Sequence, residues 1–399
     1  MRIAFVTNEF VIEKPDAGGL GNYLNRMSRI LKQQGHEVEI FVTRFKRETP
    51  ELMDYDGIRV QHVPIRKDRI YRFVRKFDKR FIKSPWDGLA DYFGIAKSLA
   101  KALEARHTEA PFDFVQSTNC AASGLFLKKH KDCLHVVRLS SIRELGLETD
   151  GLYNGIGAKL LVWLEDKSVA RGDLIYSPSK YTADYYHRTK NKQVHVLRPP
   201  FFMEHQPADV SNYQLPSRYF IHFGSIGPVK GSDLLAEALV QVWKQAPDFS
   251  MVWAGKERKK GEMDRYRSLW GEFANRVMWF EGFGKQDLYS IIQQSDAAVL
   301  PSMVDNLPNT VIETLFLGTP VIGFNGASVD ELVVHGESGA LVEPGNVNEL
   351  ADAILKAWQH QNNWLANGFK KPQVLDLFAP EVAAANLVKL VEEKKKQTA

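Results

Sequence analysis

Apolar positions at the start of the chain follow two different periods. A short apolar run over Ile3–Val6 predicts a buried strand, and apolar residues three and four apart then predict a helix. Gly35 ends this helix, and a second run over His36–Thr43 predicts the next strand. This strand–helix–strand order predicts a right-handed parallel crossover with ligands bound at the carboxyl ends of the strands. The helical stripe consists of Leu24, Met27, Ile30 and Leu31.

The alternation of strands and helices continues in two blocks. The further strands predicted in the first block are 58–64, Phe112–Gln116, His135–Leu139, Leu174–Ser177 and Val194–Leu197. Those predicted in the second block are Tyr219–Phe223, Ser250–Ala254, Val277–Phe280, Ala297–Leu300, Pro320–Gly323 and Ala340–Val342. Residues 199–216 are proline-containing and lack a clear period, which is typical of a linker. We therefore predict two α/β domains with parallel sheets, and a final helix near Pro380–Lys396.

Composition narrows the class of protein. The chain has 399 residues, of which 44% are apolar and 25% charged, as in a soluble globular protein of two domains. The net charge of +4 does not favour a general nucleic-acid binder. Cys120 and Cys133 provide no disulfide framework, and no stretch approaches the ~20 apolar residues of a membrane-spanning helix. The N-terminal segment reads as a strand and not as a signal peptide, so we expect a cytoplasmic protein.

One segment, 66–86, combines an apolar stripe with many positive charges. As a helix, it would place Ile70, Phe73, Val74, Phe77 and Phe81 on one side. Its basic positions are Arg69, Arg72, Arg75, Lys76, Lys79, Arg80 and Lys83. Three interpretations are open: an ordinary helix packed on the N-terminal domain, peripheral contact with an anionic membrane surface, and a site for an anionic acceptor.

Two glycine-containing loops follow predicted strands, where α/β sheets bind ligands. The first carries Gly18 and Gly19; its spacing is not that of a dinucleotide-binding loop, and a plain tight turn also explains it. The second, GSIGPVKGSDLL, places Gly224, Lys230 and Gly231 before a helix. A lysine and free backbone N–H groups at a helix start suit a diphosphate, although a tight turn is again the alternative.

The stretch Leu300–Gly323 predicts a strand, a polar loop, a helix and another strand. Thr310 and Glu313 have the spacing of a capping box, and Gly318 suits a helix C-terminus, so local helix chemistry explains these three residues. It does not explain the loop Asp305-Asn306-Leu307-Pro308-Asn309, in which a carboxylate and two amides precede the helix. Such a loop suits a ligand that carries both hydroxyls and a phosphate.

The acidic pair in Asp54-Tyr55-Asp56 has the spacing of a metal-binding motif. It runs directly into Gly57 and a predicted strand, so a surface turn explains it better. No metal-ligand cluster is evident elsewhere in the sequence. We therefore expect no metal and no other cofactor.

Together these segments resemble the family 4 retaining glycosyltransferases, which have the GT-B fold. PSMVDNLPNTVIETLFLGTPVIGF resembles the family's nucleotide-sugar signature of two acids eight apart, a helix and G-x-P-V. The resemblance continues through FGSIGPVKGSDLL, VWAGK, FEGFGKQDLYSIIQQSDAAVLPS and DELVVHGESGALVEPGNVNELADAI. It covers most of residues 218–356 and only fragments of the first half. It implies an acceptor domain over 1–200 and a donor domain over 217–378, both Rossmann-like and facing across a cleft, with helix 379–399 packed back on the first.

The resemblance also implies roles for individual residues. Lys230 would hold the donor diphosphate, Asp305 would contact the donor sugar, and Glu313 would bind the ribose hydroxyls, with Asp305 and Lys230 as the catalytic residues. The other donor-binding positions would be Gly18, Gly19, Gly224, Ser225, Gly231, Gly282, Phe283, Asn306, Leu307, Pro308, Asn309 and Thr310.

The implied reaction moves a sugar from a UDP- or GDP-linked donor to a hydroxyl acceptor, with retention and without a metal. The basic segment points to a lipid-linked or polysaccharide-assembly intermediate as acceptor. Two alternatives remain: another activity of the fold, such as a nucleotide-sugar epimerase or a phosphorylase, and a degenerate protein that binds a nucleotide sugar without turnover.

Three departures from the family pattern bear on this reaction. Asp305 stands in place of the usual glutamate, and Ser225 in place of a usual arginine. Thr118 or Asn119 stands where many members have a histidine, and Leu139-Ser140-Ser141 replaces a second one. Thr118 and Asn119 are therefore our candidates for contact with the acceptor or the sugar.

Overall fold

The computed structural model describes residues 1–12, 18–44, 51–81, 88–203, 206, 208–360 and 368–398. It divides into two compact units. One unit comprises Met1–Phe201 and Phe378–Ala399, and the other comprises Phe202–Leu377. The division after Phe201 falls within the proline-containing stretch 199–216.

The first unit is built on one eight-stranded sheet. Its strands are β1 (Arg2–Thr7), β2 (Glu37–Arg44), β3 (Glu51–Tyr55), β4 (Ile58–Pro64), β5 (Phe114–Thr118), β6 (Leu134–Arg138), β7 (Leu174–Ser177) and β8 (His195–Val196). They lie in the order β3-β4-β2-β1-β5-β6-β7-β8. All neighbouring strands are parallel except β3 and β4. Chain order reverses between β1 and β5, and ligands of α/β sheets bind outside the carboxyl ends of strands at such a point.

Helices cover both faces of this sheet. They are α1 (Gly19–Gln33), α2 (Arg69–Phe81), α3 (Leu89–Glu109), α4 (Arg143–Thr149), α5 (Ile156–Val169) and α6 (Lys180–Lys190). The apolar stripe predicted for α1 is buried, as its period requires. Ser179 caps α6 by accepting a hydrogen bond from the Thr182 N–H at 3.1 Å.

The second unit is built on a six-stranded parallel sheet. Its strands are β9 (Phe220–Phe223), β10 (Met251–Ala254), β11 (Val277–Phe280), β12 (Ala297–Val299), β13 (Val321–Phe324) and β14 (Gly339–Val342). The sheet has the order β11-β10-β9-β12-β13-β14, so its switch point lies between β9 and β12. Its helices are α7 (Ser232–Gln245), α8 (Glu262–Trp270), α9 (Lys285–Gln294), α10 (Asn309–Phe316) and α11 (Val347–Trp358). The two-sheet α/β fold class predicted from the sequence is confirmed.

The last helix, α12 (Pro380–Thr398), belongs to the first unit. It packs against α1. Near its end, Lys395 Nζ lies 2.8 Å from Asp113 Oδ1, one residue before β5.

Strand β3 was not predicted, because its polar residues carry no buried run. Asp54 and Tyr55 lie in this strand, which pairs with β4 as a hairpin. The turn itself consists of Asp56 (φ 53°) and Gly57 (φ 72°), the two left-handed central residues of a type I′ turn. Asp54 Oδ1 accepts a hydrogen bond from the Gly57 N–H at 2.7 Å, and Asp56 pairs with Arg29. Both carboxylates therefore stabilise the hairpin.

Helix α2 confirms that the basic segment is helical, but its apolar stripe does not act as one face. Tyr71 and Val74 pack on the core of the first unit, whereas Ile70 and Phe73 are exposed, Phe73 to 76%. Arg75 turns back to pair with Asp91 at 3.0 Å, while Arg69, Arg72 and Lys76 face solvent. The ordinary-helix interpretation thus holds for one side of α2 only. The side chains of Phe77, Lys79, Arg80 and Phe81, and residue Lys83, lie outside the described residues.

Candidate functional site

The loop between β9 and α7 lies against the end of β12. Gly231 has a φ of 68°, and a Cβ atom there would stand 1.9 Å from the carbonyl oxygen of Pro301. The backbone N–H of Met303 donates to the Val229 carbonyl at 3.0 Å and ties the two loops together. Only glycine satisfies both the left-handed φ and the close approach. The sequence feature GPVKG thus brings Lys230 to the switch point of the sheet.

Lys230 and Asp305 form an ion pair at this switch point. They are 75 positions apart in the chain and follow different strands, β9 and β12. Both side chains are partly exposed, by 25% and 16%. The two residues that the family resemblance assigned to the diphosphate and the sugar therefore lie side by side, with opposite charges in contact.

The polar loop before α10 holds an unusual backbone conformation. Leu307 has a φ of 66°, which is rare and costly for a residue with a bulky side chain, and its side chain is buried. Pro308 is the N-cap of α10 and supplies no side-chain hydrogen bond. Within the described chain, the N–H groups of Asn309 and Thr310 have no backbone acceptor. The loop therefore presents donors at a helix N-terminus, where an anion is favoured.

The capping box suggested by Thr310 and Glu313 is not formed. The helix begins at Asn309, so Thr310 lies inside it and cannot act as its N-cap. The C-terminal prediction is confirmed: Gly318 has a φ of 82°, and the Thr319 N–H donates to the Thr314 carbonyl as in a Schellman motif. Helix capping therefore does not explain Glu313.

Glu313 is paired instead with a residue that sequence reasoning did not single out. Its Oε1 lies 2.5 Å from Nζ of Lys285, which begins α9. The Glu313 side chain is only 7% exposed, while that of Lys285 is 42% exposed. Lys285 follows the turn Gly282-Phe283-Gly284 after β11. A lysine at the start of a helix near the donor-binding positions was the sequence signal that could have identified it.

An aromatic cluster stands beside this second ion pair. Phe283 packs on Phe280 with ring centroids 4.6 Å apart and on Tyr213 at 5.1 Å. The Tyr213 hydroxyl donates to Asp287 in the first turn of α9 at 2.6 Å. Gly282 is exposed and has no atom within 4 Å of its missing side chain. Gly282 and Phe283 are two of the donor-binding positions that the family resemblance implied.

A basic loop, Lys256–Lys260, runs beside the Lys230 loop. The Arg258 N–H donates to the Ile226 carbonyl at 3.0 Å, and the Arg258 side chain crosses Gly227, where its Cδ would be 3.2 Å from an added Cβ. Glu257 accepts the Met263 N–H at 2.7 Å, so the one acid in this loop turns toward the start of α8. Sequence reasoning missed Arg258, although Ser225 in place of an arginine was a signal to look for another cation. Gly224 and Ser225 directly follow β9, at the start of the loop that carries Lys230.

In the first unit, the glycine loop leads directly into α1. Gly18 is the N-cap and carries no side-chain cap. Its backbone N–H donates to Glu9 Oε1 at 2.5 Å. Gly18 and Gly19 are at least partly exposed and stand at the carboxyl edge of the eight-stranded sheet.

Thr118 and Asn119 are buried at the end of β5 and already have protein partners. The Thr118 hydroxyl donates to Ser140 Oγ at 2.8 Å. The Asn119 amide nitrogen donates to the Ser141 carbonyl at 2.9 Å, and its oxygen accepts the Ser140 N–H at 2.7 Å. Asn119 therefore holds the loop after β6 and positions Ser140, whose side chain is less buried.

Two negative observations apply to the part of the chain that the structure describes. No group of three or more His, Cys, Asp or Glu side chains there is arranged to hold a metal ion. No helix among those residues has the length and apolar character needed to cross a membrane.

Comparison with known proteins matches both halves of the chain to glycosyltransferase models. Residues 18–200 match the glycosyl transferase 4-like domain, and residues 217–360 match glycosyl transferases group 1. D-inositol 3-phosphate glycosyltransferase of Jonesia denitrificans is 24% identical over 82% of this chain and 80% of its own length. MMP alpha-(1->4)-mannosyltransferase of Mycolicibacterium hassiacum is 23% identical over 89% of this chain and 88% of its own length.

Solved structures agree at the level of the fold. Sucrose-phosphate synthase of Thermosynechococcus elongatus has a TM-score of 0.75 at 18% identity and covers 98% of both chains. HepE of Anabaena, in complex with UDP and glucose, has a TM-score of 0.70 at 16% identity and covers 98% of this chain and 100% of its own. With both domain models matched in order along the chain, the protein belongs to the group 1, family 4-type glycosyltransferases of the GT-B fold.

Proposed function

We propose that this glycosyltransferase moves a hexose from a nucleotide sugar to a hydroxyl acceptor with retention of configuration. The observation that carries the proposal is the pair of lysine–carboxylate contacts, Lys230–Asp305 and Lys285–Glu313, at the carboxyl edge of the six-stranded sheet. Each pair joins a cation suited to phosphate with a carboxylate suited to sugar or ribose hydroxyls.

The donor diphosphate binds between the starts of α7 and α10. Neither helix has a side-chain cap, so both offer N–H groups to its oxygens. Lys230, with Arg258 beside its loop, neutralises the charge that grows on the leaving diphosphate as the sugar–phosphate bond breaks. Asp305 then gives up its ion pair with Lys230 and accepts hydrogen bonds from the hydroxyls of the donor sugar.

Glu313 and Lys285 serve the nucleoside end of the donor. Glu313 accepts hydrogen bonds from the ribose hydroxyls, and the aromatic rings of Phe283 and Tyr213 offer an apolar surface to the base. The complexes of HepE with UDP and with UDP-glucose support a uridine nucleotide as the first donor to test, ahead of GDP.

The acceptor hydroxyl attacks on the face from which the diphosphate leaves, and a phosphate oxygen of the leaving group takes its proton. This route needs no side-chain nucleophile and no metal, because lysine, arginine and helix N-termini supply the positive charge. Activity that persists in excess EDTA supports the metal-free proposal, and loss of activity that Mg²⁺ restores contradicts it.

The acceptor is presented at an anionic membrane surface, on which the enzyme sits peripherally through α2. Ile70 and Phe73 are exposed between the solvent-facing Arg69, Arg72 and Lys76. Helix α5, which packs against α2, exposes two further apolar side chains, Ile156 and Trp163. Aromatic and basic residues in this combination favour the interface of an acidic bilayer.

A thermal-shift screen tests the donor assignment. UDP, GDP, ADP and their glucose or mannose derivatives are added to the wild-type chain, to Lys230→Ala and to Lys244→Ala, an exposed lysine at the far end of α7. A cognate nucleotide raises the unfolding midpoint by mass action. We expect the rise in the wild type and Lys244→Ala but not in Lys230→Ala. An equal rise in all three chains shows that the diphosphate does not bind at Lys230.

A further inference from the structure

A buried arginine without a carboxylate partner lies at the carboxyl edge of the first unit's sheet. Arg138 is the last residue of β6 and is 6% exposed. Its Nη1 donates to Ser140 Oγ at 2.7 Å, and its guanidinium carbon lies 4.0 Å from the centre of the Tyr23 ring. No ion pair among the described residues involves it, and its buried Nε has no hydrogen-bond acceptor.

Arg143, five positions further along, shows why the surroundings of Arg138 are unusual. Arg143 Nε donates to Glu165 Oε1 at 2.7 Å, so that cation has a buried carboxylate beside it. Around Arg138 the neighbours are neutral: Thr118 and Tyr176 are its partners on the adjacent strands. A buried charge with no counter-ion destabilises a fold, and a bound anion would supply the opposite charge here.

Arg138 is connected to the residues predicted to face the acceptor. Ser140 Oγ accepts from both Arg138 Nη1 and the Thr118 hydroxyl, at 2.7 and 2.8 Å. Tyr23, which stacks on the guanidinium, is in the second turn of α1, one turn beyond the Gly18–Gly19 N-terminus. A cation and a hydroxyl thus lie together at the carboxyl edge of the sheet, on the side that α1 covers.

From this arrangement we infer that Arg138 binds a phosphate group of the acceptor. The inference rests on the proposed glycosyl transfer, and it specifies the acceptor as a phosphorylated compound that places its reacting hydroxyl beside the anion. The phosphate oxygens take hydrogen bonds from the guanidinium and from Ser140, and they supply the counter-ion that the buried charge lacks.

Inorganic phosphate is the first probe. The full chain carries Lys230→Ala, which removes the proposed diphosphate site, and its unfolding midpoint is titrated with phosphate against KCl at equal ionic strength. In the Lys230→Ala chain, the second substitution Arg138→Met is expected to raise the Kd for phosphate about tenfold or more, as the loss of a charge-assisted hydrogen bond would. Arg171→Met is the matched control: Arg171 is partly buried and also has an unpaired Nε, but it lies before β7, at the amino edge.

The stability of the phosphate-free protein separates a binding role from a structural one. Arg138→Met keeps or raises the unfolding midpoint, because an unpaired buried charge is replaced by an apolar side chain of similar length. Arg138→Lys keeps part of the phosphate response. A phosphate response that Arg138→Met leaves intact overturns the inference, and so does a Met variant that loses its fold, since Arg138 is then structural.

Two further arms identify the source of the phosphate and separate this inference from the proposed function. Glucose 6-phosphate and phosphatidylcholine vesicles that carry polyprenyl phosphate are each tested for Arg138-dependent binding, which tells a soluble acceptor from a lipid-linked one. None of these assays contains a nucleotide. If phosphate binding depends on Arg138 but no nucleotide stabilises the wild type, the acceptor inference stands and the donor proposal fails; the reverse result rejects the inference alone.

Discussion

Glu313 Oε1 lies 2.5 Å from Lys285 Nζ, although Glu313 is inside α10 and Lys285 is the first residue of α9. The contact explains the burial of Glu313 inside a helix that it does not cap. The start of α10 itself has no side-chain cap. The pair thus holds the Glu313 carboxylate in one place at the carboxyl edge of the six-stranded sheet, where the proposed ribose contact requires it.

Glu313→Gln separates a structural role of Glu313 from a role in donor binding. Because glutamine keeps the size of the side chain and its amide oxygen can still accept from the half-exposed Lys285, we expect the free energy of unfolding to fall by only about 1 kcal/mol. We expect the affinity for the nucleotide donor to fall about 10- to 100-fold, because a charge-assisted hydrogen bond to ribose is lost. Calorimetric titration and urea unfolding measure the two effects. Thr310→Ala, at the other end of the absent capping box, is the control and leaves stability unchanged.

Asp305→Asn changes nucleotide binding and turnover in opposite directions. The substitution removes the carboxylate that pairs with Lys230, so the lysine is available to a diphosphate without first breaking an ion pair. We expect UDP or GDP to bind several-fold more tightly, while sugar transfer falls because the contact to the donor sugar is lost. Nucleotide titration and initial rates provide the comparison. Weaker nucleotide binding in Asp305→Asn contradicts competition between the carboxylate and the diphosphate.

Arg258→Ala tests whether the basic loop supplies a second cation to the diphosphate. The Arg258 side chain crosses Gly227 at the turn that carries Lys230. We expect a nucleoside diphosphate to bind about 3- to 10-fold more weakly, with a smaller dependence on salt. Lys260→Ala, in the same exposed loop, controls for the general loss of one positive charge. If both variants weaken binding equally, only the net charge of the loop matters.

The proposed membrane contact through α2 is expected to depend on both its exposed apolar residues and the charge of the lipid. Ile70→Ser combined with Phe73→Ser removes the exposed apolar area without touching the core-facing side of the helix. We expect reduced co-sedimentation with vesicles that contain phosphatidylglycerol. Leu52→Ser is the control, since Leu52 is 55% exposed on the β3–β4 hairpin of the same unit. Binding that is indifferent to acidic lipid rejects the proposal.

We expect the stability of the fold to decrease in mild acid because buried histidines must gain a proton on unfolding. Burial lowers the pKa of His222 to about 4, and its Nδ1–H donates to the Val299 carbonyl at 2.7 Å. In the unfolded chain His222 is protonated below about pH 6.5, whereas in the folded chain it is protonated only below about pH 4. Stability is fully present above pH 6.5 and is lost through that window at about 1.4 kcal/mol per pH unit for this residue.

His222→Phe removes this term from the pH dependence. Urea unfolding, followed by tryptophan fluorescence at several pH values between 7.5 and 5, is expected to show a shallower loss of stability in the variant. His187→Gln, an exposed histidine on α6, keeps the wild-type slope. Burial also lowers the pKa of His135 to about 4. His135 therefore contributes part of the pH dependence of stability in every variant. An unchanged slope in His222→Phe contradicts the assignment.

Much of the fold follows from local patterns. Buried parallel strands leave continuous apolar runs, so nearly every strand of both sheets was predicted to within two residues, and Val277–Phe280 and Leu174–Ser177 to the residue. Gly318 at the end of α10 was predicted because a Schellman motif is a property of a few adjacent residues. Strand β3 was missed because a half-exposed hairpin strand at the sheet edge has no such run.

The chemistry of the site required the tertiary structure. By itself the sequence determined the two α/β units, the family signature and the loop that carries Asp305. It did not determine that Lys230 meets Asp305, that Lys285 meets Glu313, or that Arg138 is buried without a carboxylate, because these facts join positions from different strands or depend on what is absent nearby. Burial and ion pairing are properties of three-dimensional neighbours, and parallel sheets bring their neighbours from distant parts of the chain.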